Sequence, residues 1–454
     1  GSLVKYNLVD QTIDEFNDTS GVDASASTND NRSGSAPYYY YGGTTDTPSV
    51  TEDADTTGTD GDYTWYKWTD TGSTGSYNND TTQSHEWLVV GGGGAGYGNR
   101  GPGGGGAGGY RTGTTLSLTG GNAYTVTIGA GGAENGVTGT PGTGGDSILS
   151  GTGITTITST GGGKASSDSS AAGGDGGSGG GGTAQQSAIG VPGAGNTPAI
   201  TQYTAAGETT TVQGYAGGTA YGTGDNTEGG GGGGGASAVG TNAASGTAGD
   251  GGAGYNNSIT GSVVGYAGGG GGGSNNTSAT GGAATHGGGA GRLRPDGNGN
   301  AGSGTANTGG GGGGHCDQWI TGDPGSGGSG VVILRRLTQI ITSGGNLTLQ
   351  STDSTASTAP TYGEFVTLIE NAEGTATLNT DIKGYISRDS GTTFTQGTLV
   401  DEGTWGTDKK ILGFHDLDIS AQPSGTSMCY KIETLNQSLG SKETRIYATS
   451  IGWR

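Results

Sequence analysis

Between residues 91 and 330 the chain is written largely in glycine, with unbroken runs at 91–94, 103–106, 229–235, 268–273 and 309–314. Glycine supplies 110 of the 454 residues, against roughly 7% in an ordinary domain. A run of this kind has no side chains to bury, so no hydrophobic core can form within it. It also offers no nucleophile, acid or ligand, which removes most enzyme classes at once. Such composition usually argues for disorder or a Gly/Ser linker. Order would have to offset the ~1–2 kcal/mol that fixing each residue costs, a cost highest for glycine.

Without apolar burial the offset must come from backbone hydrogen bonds and close backbone packing. An extended helix of three residues per turn, of the polyproline II shape, provides both: it makes no internal hydrogen bonds, so its N–H and C=O groups point outward. Several such helices side by side can satisfy one another, and only glycine permits the close approach, as at the collagen axis. Collagen itself is excluded, because there is no strict Gly-X-Y period and proline totals 10. The expected arrangement puts the glycine runs inside and the polar excursions between them on the surface.

Three regions separate by composition: 1–85, 86–336 and 337–454. The first is acidic and rich in Thr and Asp, with aromatic clusters at 38–41 and at Tyr63, Trp65, Tyr66 and Trp68. Residues 3–9 and 63–68 have strand chemistry, so the region reads as irregular β structure available for assembly. The glycine-rich region opens on Glu86-Trp87-Leu88-Val89-Val90 and closes on Gly330-Val331-Val332-Ile333-Leu334-Arg335. These two short buried-strand candidates are expected to lie together and pin its ends. Residues 123–128 alternate with period two, and Ile148 and 154–157 mark further strands. The third region offers eight candidates, at 339–342, 346–350, 365–369, 376–378, 382–387, 410–413, 428–433 and 444–449, which read as a β-sandwich or jelly roll. The expected fold is therefore mainly β with almost no α-helix: an irregular N-terminal β region, packed polyglycine II helices with a few short strands, and a C-terminal β-sandwich.

The formal charge of −21 and pI near 4.3 argue against nucleic acid or an anionic membrane as partner, since both need a basic patch. No stretch approaches 18 consecutive apolar residues, so no membrane insertion is expected. No signal peptide is visible, and Gly1-Ser2 is compatible with a cloning scar or a processed end. The only two cysteines, Cys316 and Cys429, leave one long-range disulfide or two free thiols open. Few Lys and Arg beside 20 Tyr give the composition of an extracellular or virion surface.

Several motifs imitate chemistry that their context does not support. Leu88-Val89-Val90-Gly91-Gly92-Gly93-Gly94-Ala95-Gly96 looks like a dinucleotide fingerprint, but that site needs a helix next, and Pro102 with more glycine follows. Gly161-Gly162-Gly163-Lys164 lacks the Ser or Thr of a phosphate loop, having Ala165 there. Asp53, Asp55, Asp60 and Asp62 fail the EF-hand spacing for Ca²⁺ and read as a solvated acidic loop. His315-Cys316-Asp317 is too sparse for a metal site. Asn-x-Ser/Thr sequons at Asn17, Asn79, Asn256, Asn276, Asn346 and Asn436 matter only where the source glycosylates them. Ser387-Arg388-Asp389-Ser390-Gly391-Thr392-Thr393-Phe394 resembles the Asp-box of sialidase-type propellers, which carry several copies. A single copy reads as a hairpin turn in which Asp389 bonds the loop backbone, Gly391 takes positive φ and Phe394 packs beneath. No cofactor, metal or catalytic residue is assigned.

The ordered series Trp87-Leu88-Val89-Val90 before glycine, Gly104-Gly105-Gly106-Ala107-Gly108-Gly109-Tyr110, Tyr124-Thr125-Val126-Thr127-Ile128-Gly129-Ala130-Gly131-Gly132, Gly304-Thr305-Ala306-Asn307-Thr308 and Gly328-Ser329-Gly330-Val331-Val332-Ile333-Leu334-Arg335 resembles the glycine-rich domain of bacteriophage tail-fibre adhesins. The resemblance covers about 250 residues of the sequence. It implies a bundle of polyglycine helices carrying receptor-contacting loops, a virion or extracellular location, other virion subunits as neighbours in a homo-oligomer, and a bacterial surface glycan or outer-membrane protein as receptor. Large rigid aromatics with hydrogen-bonding neighbours suit such contacts. The candidates are Tyr203, Tyr215, Tyr221, Tyr255, Asn256, Asn257, Arg292, Arg294 and Trp319, with the alternative that each ring caps the end of a glycine helix. Two other functions stay open: a self-assembling filament subunit that adds its N-terminal strand to a neighbour's sheet edge, and a polysaccharide depolymerase.

Overall fold

The computed structural model describes residues 10–33, 36–41, 45–276, 280–293, 299–316, 322–341, 345–438 and 440–454. The strand expected at 3–9 lies outside them. The fold is mainly β, and its one helical segment among the described residues is the 3-10 turn Thr204–Ala206. The chain divides into two compact units, one running from Pro48 to Thr338 and the other joining the residues up to Thr47 with those from Gln339 onward. The expected boundary at 85 is therefore corrected. Residues 48–85 belong with the glycine-rich region, and the preceding residues belong with the C-terminal sandwich.

In the discontinuous unit, a seven-stranded sheet runs in the order Asp30–Arg32, Tyr39–Tyr41, Glu443–Trp453, Tyr362–Glu373, Lys409–Asp418, Val400–Gly406, with Asp10–Asp14 also paired to Glu443–Trp453. A second sheet orders Thr348–Gln350, Ser427–Thr434, Ile382–Ser387 and Thr395–Gly397, with Ser354–Thr355 on the Ser427–Thr434 strand. Period-two alternation sends Ile382 and Ile386 of one sheet and Phe365, Ile369, Leu412 and Phe414 of the other into a shared core. Phe365 and Phe414 stack at 5.1 Å with planes 11° apart, over Gly384, where a Cβ would stand only 3.0 Å from the Phe365 ring. Phe16, Val22 and Tyr39 join this core, which is why the N-terminal residues do not fold as a region of their own. The strand expected at 376–378 is instead a turn: Asp381 Oδ2 accepts from Thr377 N at 2.9 Å and the Asp381 amide donates back to Thr377 O. The Asp-box-like segment makes the expected turn, with Thr393 N donating to Asp389 Oδ1 at 2.8 Å and Gly391 at φ +76°.

The continuous unit contains a small sandwich that the glycine-rich region grows from. One sheet orders Tyr110–Leu118, Gln83–Val90, Val331–Leu337, Tyr63–Trp68 and Thr56–Asp60, so the two strands expected to pin the glycine block do pair, Val331 opposite Val90. The other orders Ile157–Ser159, Ser147–Gly151, Tyr124–Thr127, Thr74–Asn79 and Val50–Glu52. Alternation with both faces covered explains why the central strands of the first sheet are apolar at every position over Trp87–Val90 and Val331–Leu334. Trp87, Val89, Val332 and Leu334 face the core shared with Tyr77, Tyr124 and Leu149. Leu88, Val90, Val331 and Ile333 face a second core with Ala107, Ala236, Ala267 and Tyr266 from the glycine-rich region.

Beyond that second core the glycine runs pack as polyglycine II helices. The segment 103–109 donates from Gly104 to Gly231 O, from Gly105 to Gly312 O and from Gly106 to Gly163 O, and three residues later from Ala107 to Gly234 O, from Gly108 to Gly309 O and from Gly109 to Thr160 O. Extended by one residue to the Pro102 carbonyl, which receives Gly273, it accepts, again at spacings of three, from Gly91 and Gly94, from Ser178 and Gly181, and from Gly270 and Gly273. All twelve of these bonds measure between 2.7 and 3.1 Å. Six segments thus surround one three-residue-per-turn helix, each held by two bonds, with no side chain involved. A Cβ built on Gly105 would collide with Gly94 O, on Gly233 with Gly105 O, and on Gly270 with Gly312 O. Close approach, rather than unusual φ, is what demands glycine here. Residues 229–235 take no φ in the left-handed region, whereas Gly136, Gly224, Gly246 and Gly261, in the turns between runs, do.

Candidate functional site

Hydrogen-bond register gives the lattice two ends. Val90, Tyr110, Tyr215 and Tyr266 mark the end against the sandwich, where Gly91 bonds Gly109 and Tyr215 N bonds Gly235 O at 3.0 Å. Tyr97, Gly101, Tyr221 and His315 mark the far end, where His315 N bonds Tyr97 O at 2.9 Å and Tyr221 exchanges both backbone bonds with Gly229. The candidate residues separate between these ends instead of forming one surface.

At the sandwich end, Tyr110, Tyr215 and Tyr255 line a groove of about 260 Å³ together with Thr112, Val212 and three successive threonines, Thr209, Thr210 and Thr211. Tyr110 arrives there because the central glycine helix runs straight into the strand Tyr110–Leu118. Tyr255 is placed by a hairpin, Tyr255–Asn257 paired with Val264–Tyr266, whose Ile259 and Tyr266 are buried over the sheet. The Tyr110 and Tyr255 rings lie 5.1 Å apart, tilted by 38°. Asn257 Nδ2 donates to the Tyr110 hydroxyl at 2.8 Å, so Asn257 supports the groove from behind while Asn256 is exposed. Burial raises the Tyr110 hydroxyl pKa and pushes that of Tyr266 up to about 12, so both stay protonated. Tyr255 and Tyr215 keep 41% and 37% of their surface exposed.

The threonine wall is held rigidly against the edge strand. Tyr110 N donates to Gln213 O at 2.9 Å and Thr209 N to Thr112 O at 3.1 Å. Gln213, fully buried, receives Thr160 N on Oε1 at 2.9 Å and donates from Nε2 to Pro198 O at 2.9 Å. Beside it the buried Arg111 and Glu208 form a two-pronged ion pair, Nε to Oε1 at 2.7 Å and Nη2 to Oε2 at 2.8 Å. None of Arg111, Glu208, Gln213 or the threonines was singled out from the sequence. The signal was weak: 97 residues separate Arg111 from Glu208, and a threonine run in a Thr-rich chain looks like linker.

Tyr203 is a packing residue. It lies against the sandwich core, and its hydroxyl accepts from Thr155 N at 3.3 Å. Tyr221 is half-buried at the far end. Nearby, buried Glu228 gathers the loops by accepting from Arg100 Nη1 at 3.3 Å and from Asn275 Nδ2 and Gln186 N. Burial raises the Glu228 pKa. Arg292 is half-buried, its amide bonded to Gly314 O at 2.9 Å. Arg294 and Trp319 lie outside the described residues.

The acidic loop has structural work. Asp53 Oδ1 accepts from Trp68 Nε1 at 3.0 Å and from Ser76 N at 2.7 Å, Asp55 caps Thr69 and Asp70, and Asp60 meets Arg335 Nη1 at 3.2 Å. Among the described residues no group of three or more His, Cys, Asp or Glu is placed to hold a metal ion, and no helix is long and apolar enough to cross a membrane. The fingerprint-like glycines 91–96 are consumed by the lattice. Cys316 and Cys429 are both buried and are not joined by a disulfide.

A family model described as a glycine-rich domain matches residues 69–336. No curated protein matches the chain.

Proposed function

This chain belongs to the glycine-rich domain family, and on that premise we propose that it is a non-enzymatic adhesion component of a virion appendage, a bacteriophage tail fibre in the first place, recognising a bacterial surface glycan or outer-membrane protein. The observation that carries the reading is the division of labour in the lattice. Amides 104–109 are all satisfied by backbone carbonyls of the surrounding segments, and side chains bond this helix only at its two ends, where Gly103 N donates to Thr183 Oγ1 at 3.0 Å and Ser159 Oγ to Gly109 O at 2.6 Å. The lattice interior therefore does not depend on the exposed residues of the end loops, such as Tyr255 and Asn256, which can differ in sequence at little cost to the scaffold. Surface-bearing loops on a rigid support are the usual arrangement for recognition. The test is binding of the fluorescently labelled full chain to a panel of bacterial envelopes. Saturable retention on particular strains supports the reading, and absence of binding to every envelope overturns it.

A second reading, an extracellular filament subunit, draws on one observation. Asp10–Asp14 pairs with Thr449–Trp453 as an N-terminal arm lying on a sheet otherwise built from later strands. Exchange of that arm between copies would propagate a filament. Concentration-dependent polymerisation that disappears on deletion of residues 1–14 would favour it over adhesion.

A further inference from the structure

We propose that the groove between Tyr215 and Tyr255 is a preformed subsite for a neutral sugar ring of a surface glycan. The inference rests on the adhesion reading and narrows it to one ligand class and one place. Three features of the groove define the ligand. It presents partly exposed tyrosine rings, Tyr215 and Tyr255, on the two loops that flank it. A flat aromatic face suits the C–H face of a pyranose, burying apolar area while the ring hydroxyls stay outward. Its remaining walls carry the exposed hydroxyls of Thr209 and Thr211, groups that both donate and accept and so match a polyhydroxylated ligand, while Thr112 Oγ1 is held by Trp87 O and Thr210 Oγ1 by Thr112 N.

Among the described residues, the groove lining contains no Asp, Glu, Lys, Arg or His. With a formal charge of −21 on the chain and no cation in the lining, a phosphorylated or uronate-bearing ligand meets repulsion with nothing to offset it. A purely apolar ligand would desolvate the exposed Thr209 and Thr211 hydroxyls without replacing their water contacts, which costs free energy. A volume of about 260 Å³ falls just below the roughly 300–1,000 Å³ of clefts that enclose drug-sized molecules, which fits one or two sugar rings of a longer chain. The groove is also rigid before any ligand arrives: Gln213, the Arg111–Glu208 pair and the Asn257–Tyr110 bond fix three of its sides. Preorganisation of this kind reduces the ordering cost of binding.

The experiment is saturation-transfer NMR on the full chain with the methyl glycosides of glucose, galactose, mannose and N-acetylglucosamine, and with glucose 6-phosphate and methyl glucuronide as anionic probes. The expected result is saturation of at least one neutral glycoside, its affinity falling at least tenfold in Tyr255→Ala and in Tyr215→Ala, with Tyr255→Phe retaining most of it. Both tyrosines are partly exposed, so an unchanged melting temperature in the Ala variants is expected and is measured alongside. Saturation by none of the neutral glycosides, equal binding of the anionic probes, or affinity untouched by both Ala variants overturns the proposal. Envelope binding of the same proteins separates the two claims. A chain that binds envelopes while its groove ignores neutral sugars retains the adhesion reading and loses this one.

Discussion

Arg111 and Glu208 are joined by two parallel hydrogen bonds, 2.7 and 2.8 Å long, with both side chains out of solvent. They lock the loop that forms the threonine wall onto the edge strand of the sandwich. Removing one partner leaves the other as an uncompensated buried charge, which typically costs about 3–5 kcal/mol. Arg111 keeps only its bonds to Thr158 O and Thr201 O when the carboxylate is gone. Glu208→Ala is therefore expected to lower unfolding stability by an amount in that range, measured by chemical denaturation. A loss under about 1 kcal/mol, the level of an exposed pair, would show that the pair does not hold the wall.

Substitutions within the glycine runs should follow the backbone around each position. A Cβ at Gly233 has to displace the Gly105 carbonyl at the centre of the lattice, and overpacking of a close-packed interior costs about 1–3 kcal/mol or more. At Gly145 the nearest atom would be Ala130 N at 3.1 Å, so a small shift accommodates the methyl. There the roughly 0.4–1 kcal/mol gained by restricting the unfolded chain offsets much of the cost. Gly233→Ala is expected to melt well below the parent and Gly145→Ala close to it, by calorimetry. Equal melting temperatures would contradict the packing described for 229–235.

Two histidines should give opposite pH responses. His415 Nδ1 and Nε2 each lie 2.6 Å from a carboxylate, of Glu364 and Glu402. Partial burial lowers its pKa, but the hydrogen bonds and charges of the two glutamates outweigh this and raise it above the ordinary value. Its contribution to stability is fully present below about pH 6.5, the unfolded value, and is lost as pH rises through the folded one. His85 is buried, with Nε2 2.8 Å from the Tyr77 hydroxyl and Nδ1 3.0 Å from Gln83 O. Burial, helped by the Arg336 charge and opposed by the Gln83 bond, pushes its pKa down to about 4. Its contribution is present above about pH 6.5 and drains away as pH falls toward 4. Imidazole NMR titration should place the His85 midpoint near 4 and that of His415 above 6.5. Midpoints near 6.5 for both would overturn the assignment.

The sequence made the glycine lattice legible because bare backbone has so few ways to be ordered. Buried strands could be read at Trp87–Val90 and Val331–Leu334 for a related reason: both of their faces are covered, so every residue is apolar. The sandwich around them was not legible. Tyr63–Trp68 looked like part of a separate acidic region, and what assigns it is pairing with Val331–Leu337, roughly 270 residues away, which leaves no local trace. Phe16 and Tyr39 were similarly silent about the C-terminal core they enter. Of the binding candidates, Tyr215 and Tyr255 stood out as aromatics among glycines and do meet in one groove. Tyr110 was hidden at the end of a glycine run, and Tyr203 is explained by packing.

Amide hydrogen exchange across residues 103–109 tests the scaffold most directly, because the fold there consists of backbone hydrogen bonds and little else. Exchange reports the free energy of opening each segment, up to the global value for core elements. The account predicts that amides 104–109 exchange as slowly as those of the neighbouring strand Gln83–Val90, opening only when the whole unit unfolds. Exchange of 104–109 at unprotected rates, while Gln83–Val90 stays protected, would show that the glycine runs are loops and that no lattice exists.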